Sequence, residues 1–142
     1  MASEQMALRL KRDVEGVDWQ ALSGLYRATL GPDEPAQLQR TWSRSYATVL
    51  AYDNDRLIGA ARAISDGERE ALVVGVAVLP DFQGKGVGTA MMRALLADLE
   101  GVAVILMCEE DENVSFYQRL GFRTLKRAMA LRYSEEAYAK GV

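Results

Sequence analysis

A glycine-rich stretch near the middle of the chain has the residue types needed to hold a phosphate. Gly84, Gly86 and Gly88 alternate with other residues, so backbone N–H groups can converge there without side chains in the way. Lys85 and the hydroxyl of Thr89 add further donors. An apolar run precedes the stretch and an apolar-striped segment follows it, which predicts a strand, a loop and a helix. The loop therefore lies at the positive end of a helix, where an anion is stabilised.

Two common nucleotide-binding patterns do not fit this stretch. The Walker sequence Gly-x-x-x-x-Gly-Lys-Ser/Thr is absent. The dinucleotide fingerprint requires a third glycine where Thr89 stands and a tight turn directly after the strand, where residues 80–82 intervene. Glu109 lies about where that fingerprint has its acidic residue, but the fingerprint also belongs to a mostly parallel sheet. We therefore exclude both nucleotide classes.

Hydrophobic periodicity predicts the elements that position the loop: a strand, two helices, a three-stranded meander, a helix, a strand, a short helix and a last strand. Asp18 is the expected N-cap of the first helix, Asn113 that of the short helix, and Gly75 is expected at a bulge or a close backbone approach. The third meander strand is too apolar to have a wet face and should be central. The expected ranges are 6–13, 18–29, 35–45, 46–52, 56–65, 70–79, 86–100, 102–108, 113–120 and 122–133, the last broken near Lys126 and Arg127, with a terminal helical turn at 134–140.

Composition limits the class of protein. With 142 residues, 49% of them hydrophobic and 26% charged, the chain is expected to form a single globular domain over residues 1–142. The net charge of −3 gives no indication of nucleic-acid or anionic-membrane binding. We expect no membrane span and no signal peptide. The lone Cys108 favours a reducing cytoplasm, and the absence of histidine argues against histidine-based nucleophiles and His-ligated metals. No metal is expected.

The chain resembles the GNAT superfamily of N-acetyltransferases on two motifs in order. The first is Val76-Ala77-Val78-Leu79-Pro80 followed by Gln83-x-x-Gly86-x-Gly88 and a helix, which is similar to the family's Arg/Gln-x-x-Gly-x-Gly/Ala signature. The second is residues 116–122, FYQRLGF, which resembles the family's F-Y-x-K-x-G-F segment. The stretch 59–67 is also similar to a branch that includes plant and cyanobacterial arylalkylamine acetyltransferases. The resemblance implies an α/β (α+β) fold with a mixed, largely antiparallel sheet of six to seven strands flanked by about four helices.

The resemblance also implies a cosubstrate and roles for individual residues. The phosphorylated ligand is then acetyl-coenzyme A, whose pantetheine arm pairs with β-strand backbone at residues 76–78. A backbone N–H near Val76 or Val78 polarises the thioester carbonyl, and Tyr117 protonates the leaving thiolate. The catalytic residues so implied are Tyr117 and Val78. The residues so assigned to the cosubstrate are Val76, Ala77, Val78, Gln83, Gly84, Lys85, Gly86, Val87, Gly88, Thr89 and Tyr117.

The general base and the acceptor site remain open at this point. Family members often carry a glutamate on the central strand, and here the strand has Val73, Val74 and Gly75 after Glu70 and no further carboxylate. The candidates are Asp66, Glu70, Glu109, Glu110 and water, each carboxylate being more often a solvated surface group. Trp42, Tyr46, Tyr26, Arg62 and the 31–34 loop lie in the region that binds the acceptor in the family.

The sequence thus predicts a cytoplasmic acetyl-coenzyme A-dependent N-acetyltransferase that moves acetyl to a primary amine by direct attack in a ternary complex. The acceptor is expected to be a small molecule. Two alternatives stay open: acetylation of a protein lysine or N-terminus, and a non-catalytic acyl-coenzyme A sensor. By family analogy the chain could form a homodimer.

Overall fold

The computed structural model describes residues 5–108, 110–126 and 128–140. The described residues form one five-stranded sheet and five α-helices, in two compact units that meet in sequence at Leu106 and Met107. The first unit contains β1 (Leu8–Lys11), α1 (Trp19–Arg27), α2 (Pro35–Ser43), β2 (Ala47–Asp53), β3 (Arg56–Ser65), β4 (Glu70–Val78), a 3-10 turn (Pro80–Phe82), α3 (Val87–Ala97) and β5 (Ala103–Leu106). The second contains α4 (Asp111–Arg119) and α5 (Glu135–Lys140).

The sheet has the order β1-β2-β3-β4-β5, with its first four strands antiparallel and β5 parallel to β4. This confirms the mixed, largely antiparallel architecture and the single parallel pair formed across α3. Two turns explain the meander: Asn54 takes a positive φ of 54° between β2 and β3, and Asp66 Oδ1 accepts hydrogen bonds from the N–H groups of Glu68 (2.9 Å) and Arg69 (3.3 Å) before β4.

Helices pack against both faces of the sheet. On one face, α1 and α2 contribute Leu22, Tyr26 and Trp42 to a core that includes Leu50 and Ala60 of the strands. On the other, α3 buries Met91, Met92 and Leu95, and Met91 lies so close to Gly59 that a Cβ there would be 2.6 Å from its sulfur. Asp18 is the N-cap of α1, as expected, since its carboxylate accepts from the N–H groups of Gln20 and Ala21.

Three expectations about the elements are wrong. The strand count is five rather than six to seven, because the described part of 122–133 forms no strand; Arg127 lies outside the described residues. The segment is rich in apolar side chains, but Leu125, Met129 and Leu131 are exposed, and no described residue of the second unit forms a strand that could accept its backbone hydrogen bonds.

The short helix begins earlier than expected. Glu110 is the N-cap of α4 without a side-chain cap bond, so Asn113 lies in its first turn rather than at its cap.

The third expectation that is wrong concerns β4, one face of which is partly exposed to solvent. Ile64, Leu72 and Ile105 form a cross-strand row that is 48%, 36% and 43% exposed, beyond the part of the sheet that α1 and α2 cover.

Candidate active site

The glycine-rich loop turns sharply into α3. Gly84 and Gly86 take φ values of 75° and 83°, and Gly86 is the N-cap of the helix. A Cβ at either position would meet nothing within 4 Å, so the positive φ and not crowding is what favours glycine there. The helical hydrogen bonds begin with Ala90 N–H donating to Gly86 O at 3.0 Å. The N–H groups of residues 87–89 therefore have no acceptor within the helix and are available to an anion.

The loop is held against β4 and the 3-10 turn. Gln83 Nε2 donates to the carbonyl of Val78 at 3.0 Å, and Phe82 N–H donates to Leu79 O at 2.9 Å. The Lys85 ammonium lies 5.6 Å from the centroid of the Phe82 ring. Residues 83–86 are exposed, whereas Val87 is buried and anchors the start of α3. The N–H donors of the loop are thus exposed to solvent, and these contacts hold the loop in place.

The second half of β4 has one open backbone edge. Its ladder with β5 ends at the pair Val73 and Leu106, so β3 is the only strand that pairs with residues 74–78 in the first unit. Leu79 N–H donates to Ile58 O of β3 at 2.8 Å, and because strand N–H groups alternate in direction, those of Val78 and Val76 point away from β3. An extended ligand could pair there as an added strand.

A bulge lies beside this open edge. Arg62 pairs with Val74 but Ala60 with Ala77, so β4 carries one residue more than β3 at this point. Gly75 takes a positive φ of 66° there and its carbonyl accepts a hydrogen bond from Tyr26 Oη at 2.7 Å. Both features expected of Gly75, a bulge and a close approach, are confirmed, since a Cβ would lie 2.7 Å from that phenolic oxygen.

A cavity of about 410 Å³ lies beside the bulge, between the α1–α2 connection and the sheet. Its volume is in the range of small-molecule sites. The lining residues are Tyr26, Leu30, Gly31, Pro32, Asp33, Gln37, Leu38, Thr41, Trp42, Arg62, Val74 and Gly75. Three of the residues considered for the acceptor, Tyr26, Trp42 and Arg62, are brought together here. Tyr46 does not line the cavity; its ring covers Gly67.

Asp33 is the site residue that the sequence reasoning missed. It is the sole carboxylate among the lining residues. The available signal was its place in the polar 31–34 loop, which was identified as a whole but without its acidic member. The loop is fixed, since the buried Ser23 Oγ donates to Asp33 O at 2.7 Å.

The carboxylates proposed as bases have other environments. Asp66 is fully exposed and its pKa is lowered by hydrogen bonds from Glu68 and Arg69, which makes it a turn-forming group. Glu70 is exposed at the start of β4. Glu110 forms an ion pair with Lys140 at 3.2 Å. Glu109 lies outside the described residues.

In the second unit, Tyr117 of α4 is partly buried between two aromatic rings. The ring centroids of Phe116 and Phe122 lie 5.0 and 5.8 Å from that of Tyr117, both edge to face. Burial, helped by the nearby Cys108, raises the pKa of Tyr117 to about 12. The Cys108 thiol donates to Glu110 O at 3.3 Å, and burial raises its pKa as well. Both groups are therefore protonated near neutral pH.

The sheet order, the open β4 edge and the glycine loop at the start of α3 together correspond to the GNAT fold. The model of the Acetyltransferase (GNAT) family matches residues 17–122, and the chain belongs to this family.

Among its relatives, the chain is 34% identical over 120 residues to the chloroplastic serotonin N-acetyltransferase 2 of Oryza sativa subsp. japonica, covering 80% of this chain and 60% of that protein. It is 41% identical over 69 residues to the uncharacterized N-acetyltransferase ycf52 of Porphyra purpurea, covering 47% and 40%. The chain thus spans about half the length of these relatives. A GNAT family acetyltransferase from Streptococcus pneumoniae TIGR4 superimposes with a TM-score of 0.74 at 27% identity, over 90% of this chain and 98% of that one.

Proposed function

We propose that this chain is an N-acetyltransferase that uses acetyl-coenzyme A and acetylates a primary amine of a small molecule. The observation that carries the proposal is the open β4 edge at 74–78, which runs directly into the loop whose free N–H groups begin α3. A pantetheine amide arm fits an open strand edge, and a pyrophosphate fits the N–H groups of a helix start. One ligand that has both groups in that order is coenzyme A.

The transfer requires a hydrogen-bond donor that stabilises the negative charge developing on the thioester oxygen. The amine nitrogen forms a bond to the carbonyl carbon, and the oxygen becomes anionic before the C–S bond breaks. The N–H of Val78 points to the open edge and is a preorganised donor for that oxygen. Gln83 Nε2 donates to the carbonyl of the same residue, which belongs to the next peptide unit, so the backbone directly after this N–H is held in place.

Protons must also move. The leaving thiolate takes up one, and the family resemblance assigns its donor as Tyr117, whose phenol stays neutral because burial raises its pKa to about 12. The attacking nitrogen loses one as the amide forms, which restores the proton of that donor. The acceptor ammonium must already have lost another, to water or to a carboxylate that acts as the base. Asp33 joins the earlier candidates for this role because it lines the cavity beside the bulge.

A small acceptor is favoured over a protein by the cavity, which has a defined volume and mixed apolar and charged walls. The rice relative is named for serotonin, which supports a small amine. A soybean relative, 38% identical over 72 residues, is named a histone acetyltransferase, so acetylation of a protein lysine or N-terminus stays the second candidate. A cytoplasmic location and a homodimer remain predictions.

Thiol release from acetyl-coenzyme A, measured with a panel of small amines and with lysine-containing and free N-terminal peptides, tests this function. We expect amine-dependent release that is faster with small amines than with peptides. Faster release with peptides would favour the protein acetyltransferase. Binding of acetyl-coenzyme A by calorimetry without release on any acceptor would favour a sensor and contradict the proposal.

A further inference from the structure

The cavity beside the β4 bulge contains two opposite charges. Arg62 reaches it from β3 and Asp33 from the α1–α2 connection. Its remaining lining mixes polar and apolar groups, and Leu30 is its large exposed apolar side chain. A site for a plain monoamine requires one negative group and apolar walls. The arginine is therefore the feature that needs an explanation.

Arg62 lies half-buried with few partners. Burial lowers the pKa of its guanidinium, while Tyr26 and Asp33 oppose that effect, and the group remains cationic at any physiological pH. Its Nη1 donates to Ser45 Oγ at 3.3 Å. Among the described residues, no carboxylate oxygen lies within 4.0 Å of its nitrogens, so it forms no ion pair there. A guanidinium has five N–H donors in a planar fork that matches a carboxylate, so most of this capacity is available to a ligand.

Asp33 is within electrostatic range of the arginine but not paired with it. Burial is the largest influence on the pKa of both Arg62 and Tyr26, and the charge of Asp33 is a smaller one that raises the pKa of each. Its backbone is held by Ser23, so the carboxylate is carried on a fixed loop. The two charges therefore line one cavity without forming an ion pair with each other, so each is available to the opposite charge of a ligand.

We propose that the acceptor is zwitterionic, an amino acid or a close analogue, with its ammonium at Asp33, its carboxylate at Arg62 and its side chain against the exposed Leu30. This inference rests on the proposed acetyl transfer. The amine is the group that is acetylated: the new bond joins its nitrogen to the acetyl carbon, the C–S bond breaks, and the carboxylate is unchanged. Acetylation converts the ammonium at Asp33 into a neutral amide. The carboxylate is then the only charge of the product, and Arg62 still binds it.

Matched pairs of acceptors test the proposal: phenylalanine with phenethylamine, and tryptophan with tryptamine, each pair differing by one carboxylate. At saturating acetyl-coenzyme A, we expect kcat/KM for the amino acid to exceed that for its amine by about tenfold or more, since a charge-assisted bidentate contact has that order of effect. Arg62→Gln should remove this preference by lowering only the amino-acid rate. Arg40→Gln, the same change at an exposed position of α2, should keep it.

Several outcomes would overturn the inference: equal or better rates for the amines in the unaltered chain, or an Arg62→Gln variant that lowers both members of a pair equally. Its failure can be separated from that of the proposed function. If no small amine releases thiol, calorimetry with the same pairs in the presence of coenzyme A still decides which member the cavity binds. Tighter binding of the amino acid supports the inference without transfer, and equal binding contradicts it.

Discussion

Gly86 precedes α3 and Gly101 follows it by a few residues, and the two have nearly the same φ, 83° and 81°, with open space where a Cβ would be. The same substitution at both glycines therefore separates the effect of a charge at the start of α3 from the effect of backbone strain. Gly86→Glu should abolish acetyl-coenzyme A binding, because it sets a carboxylate against the pyrophosphate. Gly101→Glu should cost similar stability, about 1 kcal/mol or more, but keep the affinity. Calorimetry measures both, and an unchanged affinity of Gly86→Glu would remove the phosphate site from this loop.

Tyr117 is expected to act by donating a proton, and its environment sets the pH range in which it can. The donor is the neutral phenol, and burial raises its pKa to about 12, so donation should persist as pH rises and be lost only near that value. Tyr117→Phe should lower kcat at least tenfold with little change in acetyl-coenzyme A affinity. An alkaline loss of kcat centred near pH 10 that disappears in the variant would contradict the raised pKa. Wild-type rates in the variant would exclude Tyr117 from the chemistry.

At the residue scale, the sequence predicted the glycine loop and its place at a helix start, and for the cavity it singled out Arg62 but not Asp33. Glycines, a lysine and a helix start occupy consecutive positions, so the loop is visible in the sequence. Asp33 and Arg62 are far apart in the chain and meet only because the α1–α2 connection packs over β3. No local pattern distinguishes them from surface charges. The assignments at Val76, Val78 and Tyr117 remain predictions that the proposed experiments test.

Between α1 and β4, Tyr26 and Gly75 form a contact that can be tested as a pair. Gly75→Ala should destabilise the protein by about 2 kcal/mol or more, since it combines a positive φ of 66° with a Cβ 2.7 Å from Tyr26 Oη. In the Tyr26→Phe background the nearest remaining atom is Cζ at 3.3 Å, so most of the clash disappears and the penalty should fall to the backbone strain. Chemical denaturation of the four variants gives this coupling.

Gly16→Ala is the matched control for that cycle, because Gly16 has a φ of 69° with nothing within 4 Å. The loss of unfolding free energy caused by Gly16→Ala should equal the backbone strain alone. It should be the same with tyrosine or phenylalanine at position 26. A Gly75→Ala penalty that does not change with Tyr26→Phe would show that Tyr26 yields without cost, and that the bulge is not fixed by this contact.

At the element scale, most strands and helices follow from sequence because each has a face that a neighbour covers. The segment 122–133 shows where that reasoning fails. Its apolar residues suggest a strand, but a strand exists only when another backbone accepts its hydrogen bonds, and apolar composition carries no information about that partner. The same limit applies to Asn113, because several residues near a helix start can serve as caps.

At the scale of the whole molecule, the described residues place the hydrophobic core in the first unit. The buried apolar residues all precede residue 107, with Trp42, Leu50, Ile58 and Met91 fully enclosed. In the second unit no described residue is buried, although α4 and α5 are formed. No helix of the described residues is long and apolar enough to cross a membrane. Cooperative stability should therefore differ between the units.

Native-state hydrogen exchange should resolve this difference. We expect amides of β2 and β3, whose strands carry Val49, Leu50 and Ile58 at 0% exposure, to exchange only through global unfolding. Amides of α4 should exchange through local opening, with a free energy several kcal/mol lower and little dependence on denaturant, because few apolar contacts are lost when that helix opens. If α4 and β3 exchange with the same free energy and the same denaturant slope, the chain unfolds as one cooperative domain, as the sequence alone predicts. A lower value for α4 would instead make residues 107–140 a separately opening part of the fold.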